Sequence, residues 1–185
     1  MVFLEICWAT ESFLYVTVYI LMMGYVLYRF AKPFMENQDK SFGIGTAYCL
    51  TLFILYVIPL ELRNMVVYGI GTLSAFLVMC MVDRRNCRQK IFIAVTFFSL
   101  RRLSSYMASM ITVKLVDQII YTTYMAEHPV RQFIAAVAID ILNMSITFTV
   151  IGISVRYIVK AYIYKRDNMT TKELWQWPAY IKMPG

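Results

Sequence analysis

The chain has 185 residues, is 60% hydrophobic and only 16% charged, and carries a net charge of +7. An average soluble domain is about 45–50% apolar, so this composition leaves no soluble domain of useful size and implies a polytopic all-α membrane protein. With no interleaving of basic and aromatic residues, the positive charge does not read as a nucleic-acid surface.

The N-terminus lacks the basic start of a secretory leader, and its apolar run is too long for one, so no cleavable signal peptide is expected. The first apolar segment runs from Ser12 to Phe30, with an onset as early as Phe3, and Trp8 marks its outer end. The second covers Phe42 to Leu60, the third Met65 to Val82 and the fourth Ile91 to Val113. The fifth begins near Gln132 and leaves the membrane near Val155; a helix continuing to Ala161 is expected to put its last turns in water. Each segment is long enough to cross a bilayer core as a helix. Gly43 and Gly45, and Gly69 and Gly71, lie inside these segments, where small residues let helices approach closely. Residues 1–166 therefore read as a transmembrane helical domain and 167–185 as a short cytoplasmic or interfacial tail. In that tail Trp175, Trp177 and Tyr180 suit the headgroup layer, and Thr170 to Glu173 match a helix capping box.

Orientation follows from the basic residues. With the N-terminus outside, the inner side receives Arg29, Lys32, Lys40, Arg84, Arg85, Arg88, Lys90, Arg156, Lys160, Lys165, Arg166, Lys172 and Lys182, against only Arg63, Lys114 and Arg131 outside. This predicts five spans, N-out and C-in, in the plasma (inner) membrane. Lys114 to Pro129, KLVDQIIYTTYMAEHP, is the sizeable outer segment. Its apolar residues recur at helical spacing, so it is expected to extend the fourth helix or lie in the interface.

No nucleotide loop, zinc-site pattern or nucleophile elbow occurs, and no cofactor is expected. Cys7, Cys49, Cys80 and Cys87 have no metal-ligand spacing and read as packing residues. A Cys–His peptidase pair is excluded by topology, because Cys80 and Cys87 fall inside while the single histidine, His128, falls outside. The chain is therefore not expected to be an enzyme.

The residues that do invite a functional reading lie on the fourth and fifth segments. FFSLRRLSSYMASMITV, Phe97 to Val113, carries Arg101 and Arg102 inside an apolar run. Arg102, Ser105, Ser109 and Thr112 share one helical face, and so do Asp140, Asn143 and Thr147 on the fifth segment. At 1.5 Å per residue, Arg102 lies about 16 Å and Asp140 about 12 Å below the outer helix ends. A charge at the centre of a span costs about 2.5–3.5 kcal/mol and usually pairs inside the bundle. Arg102, with Arg101 as second choice, is expected to meet Asp140, with Asn143 completing the hydrogen bonds. Such a cluster is either a structural clasp or a ligand site whose spare arginine takes an anionic group such as a peptide carboxylate.

NCRQKIFIAVTFFSLRRLSSYMASMITVKL, Asn86 to Leu115, resembles the fourth-span region of the membrane sensor domains of clostridial GHKL-type histidine kinases, relatives of the accessory-gene-regulator peptide sensors. The KELWQWP stretch, Lys172 to Pro178, resembles their connector to the next span. The resemblance covers roughly the last two thirds of the chain. It implies a sensor-type module for an extracellular peptide or small ligand in two-component, quorum-sensing-like signal transduction. It also implies a homodimer or a signalling partner protein. The chain as given contains no inner phospho-accepting histidine and no ATPase motif, so kinase activity is carried over to no residue. The alternatives are a small-molecule transporter subunit, similar in size and hydropathy to the vitamin-binding subunits of energy-coupling-factor transporters, and an accessory membrane protein.

Overall fold

The structure, a computed structural model, describes residues 2–35, 41–58, 64–82, 87–120 and 128–165. Among them, five α-helices pack as a bundle with no strand: α1 (Val2–Ala31), α2 (Phe42–Val57), α3 (Asn64–Val82), α4 (Cys87–Leu115) and α5 (Pro129–Lys165). A 3-10 turn, Lys32–Phe34, follows α1. A π-helical turn, Val116–Ile120, carries α4 onward, so the start of the outer segment does extend the fourth helix. Tyr121 to Glu127 and the tail with its capping box and tryptophans lie outside the described residues.

The bundle wears its apolar side chains outward. Leu21, Leu50, Leu73, Leu77, Val95, Ile141 and Ile153 are all exposed. On a water-soluble monomer this would be an apolar surface far beyond the usual few hundred Å²; against lipid tails it costs nothing. Helices spanning Glu5–Phe34, Met65–Val82 and Pro129–Tyr162 are long and apolar enough to cross a membrane, and Phe42–Val57 is a shorter apolar helix. This is a helical membrane protein by length and composition.

One half of the bundle is tightly closed. Gly24 of α1 and Gly45 of α2 lie backbone to backbone: a Cβ on Gly45 would stand 2.6 Å from the Gly24 carbonyl oxygen. The Cys49 thiol fits the same contact and donates to the Ile20 carbonyl at 3.4 Å. Gly71 of α3 lets Leu52 and Tyr48 of α2 approach. Only one glycine of each sequence pair packs this way, since Gly43 and Gly69 face open space. Tyr48 meets Phe97 of α4 edge-on at 5.6 Å between ring centroids. Tyr162 of α5 stacks near Phe34 at 4.0 Å and bonds Gln89 of α4.

That last contact lies beyond the level near Val155 where the fifth segment is expected to leave the membrane: α5 is continuous to Lys165. Arg156 and Lys160 are exposed, while Val155 and Tyr162 are buried on the opposite face. The charged residues occupy one side of a helix whose other side is still packing.

The other half differs in register. Arg102 of α4 contacts Met65, the second residue of α3. From that level α4 continues to Leu115, about 20 Å further at 1.5 Å per residue. α1 and α5 continue with it, held by the edge-on pair Trp8–Phe133 at 5.1 Å. The three long helices thus run on past the start of α3.

Candidate functional site

At the level where α3 begins, α1, α3, α4 and α5 surround a cavity of about 450 Å³, within the range of small-molecule sites. α4 supplies most of its polar wall. The buried stripe of α4 runs Ile93, Phe97, Arg101, Ser104, Ala108, Thr112, at the three- and four-residue steps of one helical face. Arg101 therefore points inward because it continues the stripe that Phe97 starts.

Arg101 forms the floor. It keeps 8% of its surface exposed. Its guanidinium lies on the Tyr68 ring and 5.8 Å from the centroid of Tyr19. Such faces attract a cation more strongly where water is excluded. Among the described residues no carboxylate pairs with it, and its Nε has no hydrogen-bond partner. Thr147, 2% exposed, lies beside it on α5.

Hydroxyls and an amide line the wall. Ser105 and the Tyr19 hydroxyl share a hydrogen bond of 3.1 Å. Asn143 donates through Nδ2 to the Tyr15 hydroxyl at 3.4 Å, while its Oδ1 has no partner. Tyr15 and Tyr19 stack one turn apart on α1 at 6.3 Å. Met65 and Tyr106, both exposed, form the rim with Arg102.

The structure thus brings Arg101, Arg102, Ser105 and Asn143 to one cavity and leaves Asp140 out of it. The expected Arg102–Asp140 pair is absent. Arg102 lies one residue round the helix from the buried stripe, is exposed, and donates to the Met65 sulfur at 3.2 Å. Asp140 stands a turn nearer the start of α5 than Asn143, where its carboxyl lies close to that of Glu11 of α1. Offset in depth and facing different neighbours, the two do not meet. The buried arginine is Arg101.

No family model, curated protein or solved structure matches the chain. Function therefore has to be read from the site itself.

The tyrosine frame is the part the sequence reading missed. Tyr15 and Tyr19 are four residues apart and so share a face, a signal that was present. Tyr68 joins them only through the register of α3. The excluded Cys–His pair is also apart in space. His128 immediately precedes α5, whose Phe133 meets Trp8 at one end of the bundle. Cys87 opens α4 at the other end, where Gln89 bonds Tyr162. Among the described residues no cluster of His, Cys, Asp or Glu could hold a metal ion.

Proposed function

We propose that the chain is a non-catalytic, receptor-like module that crosses the plasma membrane five times, N-terminus outside. It takes the anionic group of an extracellular peptide or small ligand in the Arg101 cavity. The observation that carries this reading is Arg101 itself: a nine-tenths buried cation on a cavity floor, with no acid paired to it among the described residues. A buried charge without a counter-ion is costly, and costly groups that do not serve packing are kept where they act. An incoming carboxylate or phosphate supplies the missing charge and two strong hydrogen bonds in one step. Signalling through a homodimer or partner protein is the part of the proposal that rests on the resemblance of Asn86 to Leu115 alone.

The test is ligand-dependent thermal stability of the purified full chain. Peptides with a free C-terminal carboxylate are compared with the same peptides amidated, alongside short carboxylates and inorganic phosphate. A ligand at 100 times its Kd stabilises by about 2.7 kcal/mol. The free acids should stabilise, the amides should not, and Arg101→Met should abolish the difference. No stabilisation by any anion at millimolar concentration would end the proposal. Orientation is checked with single-cysteine variants: an impermeant maleimide on intact cells should label Cys7 and spare Cys87.

A further inference from the structure

The polar cavity has an apolar neighbour. On the outer surface of the bundle, α3 and α4 leave a groove of about 320 Å³ lined by Gly69, Leu73, Phe76, Ile91, Val95 and Phe98. Phe98 lines both spaces, so the groove begins where the cavity ends. From there it runs inward along α4, from Phe98 through Val95 to Ile91, about 10 Å at 1.5 Å per residue. Arg102 stands one turn outward of Phe98 and is exposed on the cavity rim. Gly69 widens the groove: a Cβ there would have no atom within 4 Å.

Two adjacent cations thus stand at the mouth of a hydrocarbon-shaped slot. The geometry points to an anionic amphiphile as the ligand, with its acidic head between Arg101 and Arg102 and its hydrocarbon chain in the α3–α4 groove. This deepens the anion-site reading and rests on it. Charge complementarity selects the head. Lipid tails are as apolar as the groove, so the chain fixes position and the head provides most of the discrimination. The polar groups beside Arg101, Ser105 and Asn143 among them, then serve the oxygens of the head. The chemistry is shared by a two-chain membrane lipid such as phosphatidylglycerol and by a free single-chain acid.

The probe is a long-chain alkyl phosphate carrying a photoactivatable diazirine in its chain, added to the full chain in phosphatidylcholine nanodiscs. Label is expected on residues 69–76 and 91–98. Unlabelled dodecyl phosphate should compete at a concentration at least tenfold lower than dodecylphosphocholine. Phosphatidylglycerol is titrated alongside: competition below the dodecyl phosphate concentration marks a membrane lipid as the source, and competition only above it marks a free amphiphile. Gly69→Leu fills the groove without touching the cavity. It should cut the label at least tenfold while leaving stabilisation by inorganic phosphate unchanged. Arg102→Gln, at an exposed position, should weaken competition by the anionic head even if Arg101→Met does not fold. Label spread evenly round the bundle, indifferent to head charge or unchanged in Gly69→Leu, overturns the amphiphile. If anions still stabilise through Arg101 in that case, the anion site stands without it; if they do not, both fall.

Discussion

Around Gly45, helices α1 and α2 touch at backbone distance, and the Tyr48 ring carries the packing on to Phe97 of α4, its hydroxyl buried without a hydrogen-bond partner. Around Arg101, the same α1 and α4 are held apart by tyrosines, a guanidinium and space. The two halves lie on the same helices, so helix propensity does not separate them. The difference is in what α3 covers. Where α3 runs alongside, the interior of the bundle closes and only a surface groove is left between α3 and α4; where it begins, the long helices continue without it and polar side chains fill the gap. A small helical bundle can thus keep a closed half and an open half by making one helical hairpin shorter than its neighbours.

The sharpest way to break the comparison is to force the closed half open. Gly45→Val would drive side-chain carbons into the Gly24 carbonyl, which a Cβ alone would approach to 2.6 Å. Overpacking of ordinary cores costs about 1–3 kcal/mol and sometimes more; here the obstacle is backbone, which cannot turn aside. The variant should fail to yield folded protein. Gly43→Ala, in open space two residues away, should fold at least as well as the parent. Size-exclusion profiles of the two in detergent check this. Phe97→Ala comes next. It removes a fully buried ring from Tyr48 and should cost about 3–5 kcal/mol, read as a lowered denaturation midpoint.

The same change of size has the opposite sign in the other half. Arg101→Met removes a buried cation that no described acid neutralises and leaves a flexible apolar chain of similar reach. Even a buried ion pair is often replaced by apolar residues neutrally or with a gain of about 1–4 kcal/mol, and here no described partner charge is left stranded. The unliganded protein should therefore keep or raise its thermal midpoint while losing its response to anions. A large loss of stability would show that Arg101 holds the helices together, and that the open half is structural after all.

The sequence makes the two halves legible to different depths. The all-helical architecture, the start of α2 at Phe42, the start of α3 within one residue of Met65, and the gathering of Arg101, Arg102, Ser105 and Asn143 follow from apolar run length and three- and four-residue spacing. Choosing Arg102 over Arg101 came from following the polar residues outward to Thr112. The buried stripe has to be followed the other way, from Ile93 and Phe97 outward, and it reaches Arg101. Arg156 and Lys160 mark where the fifth segment is expected to leave the membrane without ending α5, because Tyr162 on the opposite face keeps the helix packed. The depth of α3 relative to α4 is set by contacts between helices, such as Arg102 to Met65, and no single segment encodes it. For the same reason Tyr68 was out of reach while Tyr15 and Tyr19 were not.

The smallest effect tests the register directly. In the structure Arg102 donates to the Met65 sulfur, while Asp140 lies beside the Glu11 carboxyl and outside the cavity that Arg102 rims, so the two face different neighbours. A pair in contact inside the bundle would couple: each single change would strand a charge, and the double would recover much of the loss, with interaction energies of about 0.5–3 kcal/mol. Residues without common neighbours should instead add to within about 0.3–0.5 kcal/mol. The cycle Arg102→Met, Asp140→Leu, followed by chemical denaturation in one detergent, should therefore close as a sum. Arg102→Met alone should be close to neutral, because an exposed side chain at the rim gives up only a sulfur contact. Recovery in the double variant would require Asp140 to reach inward past Asn143. That would place α5 about one turn deeper against α4 than the Asn143–Tyr15 and Phe133–Trp8 contacts allow, and the cavity of the open half would have to close.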